Sequence, residues 1–323
     1  MTTYKNVRYN FPAVTLSGAA EGSPAAGDIW YDSGKFYLGT SQSFTGVWSS
    51  GGNLATARYG LAGAGTQSAG LCMGGVGPLD VTEEYNGTSW SSGGGLGTAT
   101  SLLAGAGTQS AGLCMGGWTG TDDTNVTEEY DGTSWSAGGN LGTARRQLAG
   151  AGTQSAAICM GGKISSLVNT TEEYDGSSWS GGGNLGTATR SLAGAGTQAA
   201  GLCMGGDTGS DTNVTEEYNG SSWSAGGNLG TARSALAGAG TQAAAICMGG
   251  YDGSNSNATE EYDGSAWSAG GNLSTARWFL AGAGTQTAGL CMGGNDGSDS
   301  NVTEEYDSGP GSYDELFTAS QGL

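Results

Sequence analysis

From residue 58 onward the apolar positions of this chain fall in short runs separated by turn residues, and none continues at the 3.6-residue spacing of a helix. Residues 61–66 (Leu-Ala-Gly-Ala-Gly-Thr) are small and suit a crowded place where neighbouring backbones approach closely. Thr66 and Gln67 turn the chain, residues 69–73 (Ala-Gly-Leu-Cys-Met) return it, and Gly74-Gly75 ends that run. A loop leads to residues 81–85 (Val-Thr-Glu-Glu-Tyr), Asn86-Gly87 supplies a hairpin turn, and Trp90 opens a fourth run. The pattern predicts four short antiparallel strands. It then recurs: Cys72, Cys114, Cys159, Cys203, Cys247 and Cys291 lie 42, 45, 44, 44 and 44 residues apart, and Trp48, Trp90, Trp135, Trp179, Trp223 and Trp267 keep the same step. A period in the forties with four strands per unit predicts a propeller of repeated blades.

The sixth unit reaches Tyr306 and then runs into Asp307-Ser308-Gly309-Pro310, with no tryptophan following. The missing strand stands at the other end, around Trp48. The expected fold is therefore all-β: a six-bladed propeller over residues 46–306, with four antiparallel strands per blade, closed by an N-terminal strand around Trp48. Residues 1–45 read as an N-terminal attachment segment with a short hairpin made by 27–31 and 35–38, and residues 307–323 as a C-terminal tail.

Composition narrows the chemistry. Glycine accounts for 66 of 323 residues with only 4 prolines and no Gly-X-Y triplet, which excludes collagen and fits many tight turns. The net charge of -19 repels phosphate backbones, so nucleic-acid binding is disfavoured. The polar start is not a secretory signal, and no run approaches the ~20 apolar residues of a membrane helix, so membrane insertion is not expected. The cysteines occupy one equivalent place per unit, too far apart to bridge, and read as buried free thiols. With no histidine, most general-base and triad arrangements are out of reach, and no enzyme is expected. Six Glu-Glu pairs, such as Glu83-Glu84, place their carboxylates on opposite faces of a strand, one near an arginine or backbone donor and one solvated.

Comparison of the six copies locates the variation. The Gly-Thr-Gln turn between the first two strands never changes, and the turn before the tryptophan hardly does. Two places vary: the loop after Gly-Gly (76–80, 118–125, 163–169, 207–213, 251–257 and 295–301) and the dipeptide after Thr-Ala-Arg/Thr. In an antiparallel blade both emerge on the same face. The candidate partner-binding residues are Tyr59, Trp118, Arg146, Gln147, Lys163, Arg190, Tyr251, Trp278 and Phe279, several of them aromatics that are costly to expose without a partner. Asp207, Asp211, Asp296 and Asp299 have the oxygen chemistry for Ca²⁺ without the spacing of an established calcium loop, and plain turn formation is the favoured account; no other cofactor is expected.

The Gly-Gly doublet closing strand two, the tyrosine of strand three and the tryptophan opening strand four together resemble the kelch repeat. Leu-x-Thr-Ala-Arg before each first strand is similar to that family's Met/Leu-Pro-x-x-Arg step. The resemblance spans residues 48–306 and implies a kelch-type β-propeller with a ring of inter-blade Arg-Glu pairs. That ring must be incomplete, because Thr100 and Thr189 replace the arginine in two units, and the Tyr-to-Trp turn is shorter than usual. The Asp-Gly-Ser-Ser-Trp turns, such as Asp175 to Trp179, resemble the aspartate box of sialidases but lack one residue of it. The near-identical units, the Gly/Ala/Ser/Thr vocabulary and the Gly27-Asp28-Ile29-Trp30-Tyr31 lead-in look like kelch-like structural proteins of tailed bacteriophages, especially marine ones. That resemblance implies a non-enzymatic virion protein, a tail fibre, receptor-binding or surface component made in the host cytoplasm. Its partners would be other virion proteins, a host receptor or a glycan, and further copies of itself in a homo-oligomer. The alternative is an intracellular kelch adaptor binding a partner protein on the same face.

Overall fold

The computed structural model describes residues 29–32, 35–39, 46–309 and 313–318. It divides into two compact units, residues 45–308 and the two chain ends outside them. In the smaller unit Ile29–Asp32 pairs antiparallel with Lys35–Gly39, whose other edge takes Tyr313–Thr318. The C-terminal tail thus contributes a strand that the sequence pattern did not signal. Residues 1–28, the greater part of the expected attachment segment, lie outside the described residues.

The larger unit is a six-bladed β-propeller with four antiparallel strands per blade. Blade 1 runs Ala62–Thr66, Ala69–Met73, Thr82–Tyr85, Trp90–Ser92, and blade 2 runs Ala104–Thr108, Ala111–Met115, Thr127–Tyr130, Trp135–Ala137. Blade 3 comprises Ala149–Thr153, Ala156–Met160, Thr171–Tyr174 and Trp179–Gly181; blade 4, Ala193–Gly196, Gly201–Met204, Thr215–Tyr218 and Trp223–Ala225. Blade 5 is Ala237–Thr241, Ala244–Met248, Thr259–Tyr262 and Trp267–Ala269. Blade 6 takes Ala281–Gly284, Gly289–Met292 and Thr303–Asp307, and its outer strand is Val47–Ser50, with Trp48 opposite Tyr306. The ring is closed by the N-terminal strand as the sequence predicts.

The core lies between blades. Ala62, Ala64, Leu71 and Met73 of blade 1 pack against Leu103, Cys114 and Tyr130 of blade 2, with Trp135 at the margin, and the same layer recurs at every boundary. All six cysteines are free and buried. Near the axis the inner strands almost touch. A Cβ on Gly150 would come within 2.8 Å of the Gly105 carbonyl oxygen, and one on Gly105 within 2.7 Å of that of Gly63, which is why the inner strands alternate alanine and glycine.

Three side chains of every blade bond to the preceding blade. In blade 3 Gln154 donates to the carbonyls of Gly112 (2.9 Å) and Tyr130 (2.8 Å), the Tyr174 hydroxyl donates to Glu129 (2.6 Å), and Trp179 Nε1 donates to Thr127 Oγ1 (2.9 Å). Blade 1 makes the same three bonds onto blade 6, through Gln67, Tyr85 and Trp90. Here the structure corrects two expectations. The second glutamate of each pair is not merely solvated, since it accepts the tyrosine of the next blade. The Arg-Glu pairs, Arg58–Glu83, Arg145–Glu172, Arg233–Glu260 and Arg277–Glu304, lie within the blade the arginine leads into. Only the arginine's backbone reaches the preceding blade, as where the Arg58 carbonyl accepts the Gly294 amide at 2.9 Å.

These buried protons set an alkaline limit. Burial first, and the hydrogen bond to a carboxylate second, push Tyr85, Tyr130, Tyr174 and Tyr262 from 10 up to about 12, with Tyr218 and Tyr306 moved the same way. Burial likewise raises the thiols, Cys72, Cys247 and Cys291 to about 11 and Cys159 to about 12. A proton held more tightly in the folded state stabilises below the unfolded pKa, and that contribution disappears as pH rises through the folded value. Urea denaturation across alkaline pH should therefore show stability falling steeply between about pH 10 and 12, the window set by the tyrosine values. A midpoint that stays constant through that range would contradict the burial of these groups.

Candidate functional site

The second residues of the six variable dipeptides, Gly60, Leu102, Gln147, Ser191, Ala235 and Phe279, encircle the axis at one mouth of the propeller. Each donates its amide to the carbonyl of the one before: Leu102 to Gly60 (2.7 Å), Gln147 to Leu102 (2.9 Å), Ser191 to Gln147 (2.8 Å), Ala235 to Ser191 (2.8 Å), Phe279 to Ala235 (2.8 Å) and Gly60 to Phe279 (2.9 Å). This closed ring of six bonds requires left-handed backbone throughout, with φ of 63° at Gly60 and 54°, 56°, 52°, 52° and 48° at the five others. Five residues with a Cβ thus sit in a conformation that costs each about 1–2 kcal/mol, and such strain concentrates where surrounding structure imposes it. Together with the leucines that follow them, these residues line an axial depression of about 90 Å³.

The first residues of the dipeptides are zipped to the loops after Gly-Gly. Ser101 and Trp118 exchange two backbone bonds (2.9 and 2.7 Å), and the pairs Arg146–Lys163, Arg190–Asp207, Ser234–Tyr251 and Trp278–Asn295 do likewise. The two variable segments of each blade therefore form one continuous surface around the depression. All nine candidate residues named from the sequence lie on it.

Side chains divide this face into two sectors. Across blades 5, 6 and 1, Tyr251 meets Trp278 (ring centroids 5.7 Å apart), Trp278 meets Phe279 (4.9 Å), and Phe279 meets Tyr59 (6.4 Å). Tyr251 is exposed and the other three are half-buried. Across blades 2, 3 and 4, Arg146 lies 4.5 Å above the Trp118 ring and bonds Asp123 at 2.8 Å, while Arg190 grips Asp207 through Nε (3.0 Å) and Nη2 (2.7 Å). Burial works to raise the Asp207 carboxyl, but the Arg190 hydrogen bond, the Gly209 amide and the charges of Arg190 and Lys163 together hold it below its ordinary value. Arg58, Arg145, Arg233 and Arg277 are fully buried, so the accessible cations among the described residues of the propeller are Arg146, Lys163 and Arg190, all in this sector.

The aspartates singled out from the sequence also take part in turns. Asp175 Oδ1 accepts the Ser177 hydroxyl and the amides of Ser177 and Ser178, which hold its carboxyl down to about 2. Among the described residues no group of three or more metal-ligating side chains occurs. Asp207 is committed to Arg190, Asp296 accepts the Ser298 amide, and Asp211 and Asp299 form single β-bridges with Asp207 and Asn295. Sequence reasoning missed Asp123, the partner of Arg146, and the left-handed ring, for which the lone Gly60 among six equivalent positions was the available hint. The structure also accounts for the invariant Gly-Thr-Gln turns. Their constancy follows from the glutamine bonds between blades, so constant turns do not by themselves mark the variable face as selected.

The fold defines the chain as a six-bladed β-propeller, a class consistent with a protein-binding scaffold. No family model matches it, and no curated protein matches it. Among solved structures it is similar to that of YjhT, at 14% sequence identity and a TM-score of 0.67, covering 80% of this chain and 96% of that one. At that identity the likeness is one of fold alone.

The ring offers a direct test of its strain. Ala235→Gly should raise stability, because relief of about 1–2 kcal/mol of left-handed strain exceeds the ~0.4–1 kcal/mol entropic cost of glycine. A gain of up to roughly 0.5–1 kcal/mol in urea denaturation is expected, reduced by the ~0.8 kcal/mol that burial of the Ala235 methyl contributes. A loss of more than about 1.5 kcal/mol, beyond the entropic cost and that methyl together, would show that the ring holds its residues without strain.

Proposed function

We propose that this propeller is a non-enzymatic structural protein of a tailed-phage virion, a tail-fibre, receptor-binding or surface component of kelch type, which uses its variable-loop face to bind a host receptor, a glycan or a neighbouring virion protein. The observation that carries the binding face is its composition. On a chain of net charge -19, an aromatic sector and the propeller's accessible cations adjoin one another around a single axial depression. Aromatic and arginine side chains are the groups that dominate binding energy at protein surfaces. Flat aromatic rings also stack on sugar faces, and the Arg146–Asp123 and Arg190–Asp207 pairs present the donors and acceptors that hydroxyl groups need. The phage assignment rests on the resemblance of the repeats and the lead-in to phage kelch-like proteins. Ca²⁺, if it takes part, would do so through the acidic loops holding Asp207, Asp211, Asp296 and Asp299.

Two measurements test this reading. The protein should co-purify with phage particles, and it should bind glycans or host cells on an array run with and without Ca²⁺. Trp278→Ala and Tyr251→Ala should each weaken that binding about tenfold or more while leaving the unfolding midpoint nearly unchanged. Absence from particles, with capture of an intracellular protein through the same aromatic residues, would favour the adaptor alternative. Binding untouched by both substitutions would move the site off this face.

A further inference from the structure

Every blade builds the same polar socket between its second and third strands, and in four blades the arginine leading into the blade fills it. In blade 5 Arg233 Nη2 donates to Glu260 Oε1 (2.9 Å) and Cys247 Sγ (3.1 Å), and Nη1 to the carbonyls of Ala258 (2.8 Å) and Gly249 (3.3 Å). Arg277 repeats the pattern in blade 6 with Glu304, Cys291, Val302 and Gly293. The guanidinium is read by one carboxylate oxygen, one thiol sulfur and two carbonyls, a set that accepts a planar fork of N–H donors.

Blades 2 and 4 carry threonine instead, and they differ. In blade 2 the chain secures the carboxylate itself: Glu128 is buried, with Oε2 accepting the Gly97 amide (2.7 Å) and Oε1 that of Thr98 (2.9 Å). In blade 4 Glu216 accepts the Gly186 amide through Oε2 (2.8 Å), and among the described residues no donor reaches its Oε1. The Thr189 hydroxyl turns back to the Thr187 carbonyl (3.0 Å) and does not extend toward Glu216. A cavity of about 200 Å³ results, lined among others by Cys203, Gly205, Val214 and Glu216. These are the counterparts of all four groups that hold Arg233. Thr208 and Val214, both exposed, also line it, so the cavity communicates with solvent.

We infer that the blade 4 cavity binds a guanidinium group supplied from outside the chain. At ~30 Å³ per water the space is that of about seven waters, enough for the planar head and the first methylenes of its stem. Glu216 lacks a cationic partner and sits on a strongly acidic chain that draws cations. Burial keeps the Cys203 thiol protonated, so the socket offers a metal ion no thiolate, whereas a thiol sulfur accepts an N–H as Cys247 does. An ammonium ion is a point charge and cannot engage the carboxylate and both carbonyls as a rigid fork does. The guanidinium could belong to a small solute or to an arginine side chain of another protein.

Calorimetric titration of the full chain with ethylguanidinium chloride, against ethylammonium chloride at equal ionic strength, tests this, together with an arginine-containing peptide and its lysine counterpart. Saturable binding of ethylguanidinium at one site per chain is expected, with a raised unfolding midpoint and no response to ethylammonium. Glu216→Gln should weaken the binding about tenfold or more, and Thr189→Arg should abolish it by filling the socket from within. Binding of the arginine peptide as well would identify a protein side chain as an admissible ligand, and binding of ethylguanidinium alone would restrict the site to small solutes. Absence of saturable binding, an equal response to ethylammonium, or binding undiminished in Glu216→Gln would overturn the inference, and the glutamine variant decides the matter even where Thr189→Arg fails to fold.

Discussion

A blade of this protein has two apolar faces and cannot cover either of them alone, so everything else depends on how one blade is held against the next. The apolar layer at each boundary, with leucine, methionine, cysteine and tyrosine fully or almost fully buried, provides the driving force but little direction. Direction comes from the glutamine, tyrosine and tryptophan that each reach back to the preceding blade. Their partners are backbone carbonyls, a glutamate and a threonine at fixed register, so a blade rotated or slipped against its neighbour would lose several bonds together. Buried polar groups left unpaired are costly, and this makes the angular step between blades a property of the sequence motif. Six equal steps then bring Trp48 beside Tyr306 without any special closing device.

The same constraint explains what could be read in advance. The period, the strand positions and the closure by Trp48 were legible because residues that bond across a boundary must recur once per blade, and recurrence is visible in a sequence. The partners were not legible. Glu84 and Glu83 are adjacent and identical, yet one accepts Tyr130 of the next blade while the other accepts Arg58 and the amides leading into its own. Only the tertiary step between blades distinguishes them. The left-handed ring was hidden for a similar reason. Local preference argues against positive φ at Leu102, Gln147 and Phe279, and the closed circle of hydrogen bonds that overrides it exists only when all six blades are in place. The strand Tyr313–Thr318 pairs with residues nearly 280 positions earlier, and no repeat advertises it.

Constancy and variation on the two faces acquire physical meanings from this. On one face the Gly-Thr-Gln turns are fixed because each glutamine bonds two carbonyls of its neighbour. On the other, the connection that recurs at every boundary is made by backbone, through the ring of six amides, while side-chain bonds such as Arg146–Asp123 and Gln147–Ser191 occur only at particular boundaries. A backbone bond is indifferent to the side chain it carries, so the dipeptides and loops are free to hold tyrosine, tryptophan, arginine or serine without disturbing the ring. The scaffold therefore separates fold from recognition: one face is spent on assembly, and the other can change residue by residue.

The arginine position shows how far that freedom extends into the interior. A buried Arg-Glu pair is weak evidence of stabilisation, because the desolvation of two charges offsets much of their attraction. Here it is further burdened, since the Nε atoms of Arg58, Arg145, Arg233 and Arg277 are all buried without a hydrogen-bond partner. The blade does not depend on the arginine to hold the carboxylate, because the amides of the preceding connection already bond it, with Gly142 donating to Glu172, Gly97 and Thr98 to Glu128, and Gly186 to one oxygen of Glu216. Replacement by threonine is accordingly tolerated twice in one ring with the four-stranded order of the blade unchanged. A position that the fold does not insist upon, lined by groups that still retain the chemistry of its usual occupant, is where a propeller of nearly identical blades can make one blade different.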